Sequence, residues 1–170
     1  MLLAAAAGII VANLYYAQPL VGPIGAALGL PPAAAGLIVT LTQIGYTLGL
    51  LFIVPLGDLV ENRRLIVTGL LVTSAALLVA ATATTAWAFL LAALTIGLGA
   101  VVAQVLVPFA AHLAPEATRG QIVGKVVSGL LLGIMVARPV ASVLAGLGGW
   151  HTVFGIAAAL VAVLAVVLQL

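Results

Sequence analysis

A chain of 170 residues that is 66% hydrophobic and 5% charged, with a mean hydropathy of +1.46, is written for a solvent other than water; soluble domains carry about 25% charged residues. The absence of cysteine excludes disulfides, thiolate nucleophiles and thiolate metal sites. His112 and His151 stand far apart with no carboxylate at metal spacing, and a net charge of +2 is too small to argue for nucleic acid. Neither a nucleophile and base pair nor a metal set appears, so neither an enzyme nor a cofactor is expected. What remains is an all-α membrane protein, whose natural partner is the lipid bilayer and whose spans take about 20 apolar residues each.

Breakers divide the chain into six expected spans. Residues 2 to 12 resemble a signal-peptide core but lack a basic leader, and they read as the start of a first span over 3–22. It ends in the uncharged turn "VGPIGAALGLPP". A second span over 33–56 ends at "GDLVENRRLI" (57–66), where Asp58, Glu61, Arg63 and Arg64 gather half of all the charged residues. The third covers 65–82, and "TATTAW" turns it into the fourth, over 87–111. "HLAPEATRGQ" (112–121) leads to the fifth, over 122–146, and "GLGGWH" to the sixth, over 150–170.

Lys and Arg collect in short cytoplasmic loops. Arg63, Arg64, Arg119 and Lys125 all flank the 2-3 and 4-5 turns, and the other turns have no basic residue. Both termini are therefore expected on the cytoplasmic side of the cell (inner) membrane.

Three pairs of short stretches recur in order. "AQPLV" (17–21) returns as "AQVLV" (103–107); Gly45, Gly49 and Pro55 return as Gly129, Gly133 and Pro139; "VTG" (67–69) returns as "VFG" (153–155). Two copies, about 1–85 and 86–170, are expected. With three spans in each copy, the second enters from the opposite side, which makes a 3+3 inverted repeat of the kind transporters use. At 1.5 Å per residue, Gln18 and Gln104 then fall at mirrored depths.

Six helices, a charged 2-3 turn and this repeat together resemble the N-terminal half of a major facilitator superfamily transporter, over essentially all 170 residues. "GDLVENRRLI" is similar to that family's 2-3 loop motif, with Val54 and Glu61 where the motif has glycines. "GWHTVF" (149–154) resembles its entry to helix 6 with His151 at an arginine. "IGLGA" (96–100) resembles its helix-4 motif with Ala93 at an arginine, and "GLLLGIMVARP" resembles its helix-5 antiporter motif with Ile134 at a proline. The resemblance implies a secondary transporter of small organic solutes working by alternating access, with efflux by antiport. It also implies a gating loop of Gly57, Asp58, Arg63, Arg64 and Arg119. There the aspartate braces the cytoplasmic gate against a helix N-terminus of the other half, and the arginines hold neighbouring helix ends.

Polar side chains inside spans supply the expected substrate pathway: Asn13, Tyr16, Gln18, Gln43, Tyr46, Gln104 and Arg138. On helix 1, Asn13 and Tyr16 share one side and Tyr15 and Gln18 the other, so one pair faces a central path. Gln43 and Tyr46 lie opposite Gly45 and Gly49, and Arg138 is expected to point away from Gly129 and Gly133. Arg138 is the only charge deep within a span, Lys125 lying at the edge beside the 4-5 turn, and is a cation for an anionic substrate or a counter-carboxylate; snorkelling and structural bonding are the competing roles. A proton-coupling acid lies outside these spans or at the Asp58 edge. A half unit needs a second six-helix half as partner, either another copy in a homodimer, with Asp58 near Gly120 and Gly124 of the partner, or a separate C-terminal half. The alternative is a six-helix bundle or transporter fragment that transports nothing.

Overall fold

Apolar runs punctuated by glycine and proline fold into helices, and among the described residues there is no strand. The computed structural model describes residues 1–169; the side chain of Asp58, where the gating brace is expected, lies outside the described residues. In chain order the helices are α1 (Leu2–Ala12), α2 (Val21–Ala27), α3 (Pro32–Ala35), α4 (Leu37–Phe52), α5 (Asn62–Ala81), α6 (Ala86–Ala100), α7 (Val102–Leu113) and α8 (Arg119–Gln169). Among the described residues, four helical stretches are long and apolar enough to cross a membrane: Pro32–Gly57, Asn62–Ala81, Ala86–Leu113 and Glu116–Gln169. The last has 54 residues, more than twice the roughly 20 that one crossing takes.

Two features correct the expected boundaries. The chain over 119–169 is broken within "GLGGWH" by Gly148 (φ −147°, ψ 17°) and Gly149 (φ 77°, ψ 172°), the latter a conformation that a Cβ would strain. It therefore has two arms, 119–147 and 150–169. The first expected span, 3–22, is not one α-helix. From Asn13 to Leu20 five backbone N–H groups bond three residues back instead of four: Asn13 to Ile10, Leu14 to Val11, Tyr15 to Ala12, Gln18 to Tyr15 and Leu20 to Ala17. Pro19 has no N–H to give and its ring crowds the preceding turn. The Asn13 amide competes for α-helical acceptors, donating to Ile9 O at 3.0 Å and Ile10 O at 3.1 Å.

Packing follows the small residues. α4 crosses α6 where a Cβ at Gly45 would run into the Leu94 carbonyl and one at Gly49 into that of Leu98. α1 crosses the first arm of α8 in the same manner, with Gly129 against the Ala4 carbonyl and Gly133 against that of Gly8. Glycine pairs four apart thus meet carbonyls four apart at two separate crossings, the close backbone approach that holds helices together in lipid. The second arm of α8 packs on α5, where the Ser74 hydroxyl donates to Ala158 O at 3.0 Å. It also packs on α6, where Phe89 stands edge-on to Trp150 (5.5 Å) and Phe154 (5.3 Å). Thr85 caps α6, its hydroxyl accepting from Ala88 N at 3.4 Å, which fixes the "TATTAW" turn.

Candidate functional site

Arg138 on the first arm of α8 meets the re-coiled part of the first helical segment. Its Nε–H donates to Gln18 Oε1 at 2.8 Å, and its guanidinium carbon lies 5.6 Å from the centre of the Tyr15 ring. The hydrogen bond sets Gln18 and Arg138 at one level of the bundle. Arg138 meets Gln18 and Tyr15 beyond the C-terminal end of α1, whereas Gly129 and Gly133 meet Ala4 and Gly8 within it. A 3₁₀-type turn advances about 20° more per residue than an α-turn. The three-back bonds before it therefore turn Gln18 away from where a continuous α-helix would carry it.

A second polar contact joins α7 to α4. Gln104 Nε2 on α7 donates to the Tyr46 hydroxyl on α4 at 2.8 Å. Gln43 is half-buried one turn from Tyr46 and lines, with Thr40 and Thr47, a groove of about 430 Å³. Asn13 is buried with its amide turned back on its own helix, and its Oδ1 has no hydrogen-bond partner. Tyr16 is half-buried and lines a cavity of about 150 Å³ with Gly133 and Val140. A groove of about 950 Å³ between α1 and the first arm of α8, lined by Gly8, Gly129 and Gly133 with Lys125 among its residues, holds none of the expected pathway side chains. The structure therefore joins Gln18 to Arg138 and Gln104 to Tyr46, and leaves Asn13, Tyr16 and Gln43 apart from those pairs. Tyr15 is the residue missing from the expected set. Its spacing of three from Gln18, on the same helix side, is the sequence signal that pointed to it.

At the charged turns, Arg63 donates from Nε to Leu168 O at 3.2 Å and from a terminal nitrogen to Gln169 O. Arg119 donates from Nε to Ala111 O at 3.1 Å, near the end of α7. The Arg119 contact brings a cation to a helix C-terminal end, where the dipole is negative. Arg64 instead pairs with Glu61 at 3.1 Å on the exposed surface. Gly57 is half-buried in a short 3₁₀ turn, Val54–Asp58, that links α4 to the charged knot.

The profile of the Major Facilitator Superfamily matches residues 3–170. The chain belongs to the major facilitator superfamily. Among superfamily relatives it is 49% identical over 168 residues to the "Uncharacterized transporter YgaY" of Escherichia coli O157:H7, a match that covers 99% of this chain and 43% of that protein. It is 40% identical over 163 residues to the "Probable transporter SCO4007" of Streptomyces coelicolor, covering 96% of this chain and 38% of that protein. It is 28% identical over 155 residues to the "Uncharacterized MFS-type transporter YbcL" of Bacillus subtilis, covering 90% and 39%. The chain thus spans about two-fifths of the length of the curated relatives it matches. As a superfamily member with long apolar helices it is a multi-pass membrane protein.

Proposed function

We propose that this chain is the N-terminal six-helix half of a secondary transporter that moves small organic solutes across the cell membrane by alternating access, as an efflux antiporter. The observation that carries the reading is a pair of polar contacts inside apolar helices, Arg138 with Gln18 and Gln104 with Tyr46. Polar groups inside spans face cavities or partners, and two such sites suit a path that opens alternately to each side. Two further features support an inverted repeat of two three-span units. "AQPLV" and "AQVLV" place Gln18 and Gln104 at equivalent points, and the glycine pairs 45/49 and 129/133 make the same carbonyl contacts. The basic turns support cytoplasmic termini. The greater length of the relatives supports a second half as the partner that completes the path.

The test is solute exchange by the full-length protein in sealed vesicles. A panel of labelled organic solutes should show saturable uptake driven by the same solute trapped inside. Vesicles that exchange no member of the panel faster than protein-free vesicles would contradict transport and favour a bundle that transports nothing.

A further inference from the structure

We infer that the solute is a singly charged organic carboxylate, seated on the free fork of Arg138 while Gln18 and Tyr15 hold that fork in place. The inference rests on the transport reading above and names its substrate class. Arginine has five N–H donors in a rigid plane. Gln18 takes the one on Nε and the Tyr15 ring lies beneath the guanidinium. The terminal nitrogens remain, and their paired N–H groups match the two oxygens of a carboxylate.

Charge decides between ligands. The three acidic residues, Asp58, Glu61 and Glu116, all belong to turns at span ends. The one ion pair among the described residues joins Glu61 to Arg64. Arg138 therefore holds a cation at membrane depth that no carboxylate within these spans neutralises, and a neutral ligand would leave it so. One cation matches one negative charge. Lys125, another cation of the same arm, lies about 20 Å away along the helix, so a dianion would bring uncompensated charge into hydrocarbon. On the same helix side, three and seven residues back, Met135 and Leu131 are 66% and 59% exposed. They offer apolar surface to the body of an organic acid.

The experiment uses the purified full-length protein with octanoate, benzoate and phenylacetate, each against its neutral amide, and reads both the ligand-induced rise in melting temperature and the dissociation constant. At least one acid should raise the melting temperature while its amide does not. Arg138→Gln should weaken that acid by about 10- to 100-fold, as loss of a charged hydrogen-bond partner does. Gln18→Ala, which keeps the charge but frees the fork, should weaken it several-fold. No response to any acid, equal response to acid and amide, or unchanged affinity in Arg138→Gln overturns the inference. Should Arg138→Gln fail to fold, wild-type affinity in Gln18→Ala overturns it instead. Recovery of the Arg138→Gln melting temperature on neutralising a single acidic residue elsewhere in the protein also overturns it, because the partner is then a side chain. Transport is read separately. Exchange of neutral solutes that survives Arg138→Gln defeats only the carboxylate, whereas acid binding without any solute exchange defeats only the transport reading.

Discussion

Gln18 and Gln104 each join two helices through one 2.8 Å hydrogen bond, Gln18 accepting from Arg138 of α8 and Gln104 donating to Tyr46 of α4. These bonds lie apart from the two glycine contacts. α1 and the first arm of α8 meet at Gly129 and Gly133, and α4 and α6 meet at Gly45 and Gly49. Bonds between helices in membranes average about 0.6 kcal/mol, whereas backbone contact along a small-residue seam carries packing. The glycines should therefore hold the bundle, and the glutamines should be spare for function.

Gly129→Val drives two methyl groups toward the Ala4 carbonyl and should destabilise the bundle by about 1–3 kcal/mol, the usual cost of overpacking. Gly120→Ala, at a position open to solvent, should leave the melting temperature unchanged or raise it slightly. Equal melting temperatures for the two variants would remove the seam from the account.

Gln104→Leu, similar in volume, should cost less than about 1 kcal/mol in stability while slowing solute exchange by much more than that loss explains. The comparison needs melting and exchange on the same preparation. A variant with wild-type exchange would make the Gln104–Tyr46 bond structural glue.

Asn13 is buried, spends its amide on Ile9 and Ile10, and leaves Oδ1 unpartnered. Asn13→Leu removes both the competitor for helix carbonyls and the orphaned oxygen. The variant should melt higher, and it should lose exchange as Gln18 turns away from Arg138. A lower melting temperature would show that the amide bonds stabilise more than the unpaired oxygen costs.

Arg63 binds carbonyls at the end of α8, whereas Arg64 meets Glu61 on the exposed surface. Arg63→Ala should lower stability by about 0.5–1.5 kcal/mol, as loss of a hydrogen bond between segments does. Arg64→Ala should be close to neutral. Matching melting curves for the two would refute the distinction.

How much of this was legible in the sequence varies with the physics involved. Turns read well, because "TATTAW" and "GLGGWH" contain their own causes, a threonine cap at Thr85 and a glycine with positive φ at Gly149. The glycine pairs were visible as a spacing, and their contacts follow from that spacing. The first span was misjudged because hydropathy reports length in lipid, not hydrogen-bond register. Its change of register depends on where the Asn13 amide points, which hydropathy does not report, whereas Tyr15 was legible in its spacing of three from Gln18. Which glutamine meets which helix is tertiary information that no local pattern carries.

These 170 residues contain no cysteine, so single cysteines placed in them, in a full-length protein whose cysteines elsewhere are replaced by serine, report on the account's central claim, that the Gln18 and Gln104 sites lie on one alternating path. In intact cells carrying the full-length protein, Gln18→Cys should react with an impermeant thiol reagent from outside and Gln104→Cys only from the cytoplasmic side. Adding a transported solute should change the two rates in opposite directions. The account is contradicted if both positions stay as unreactive as Leu71→Cys on the exposed face of α5, or if solute changes neither rate.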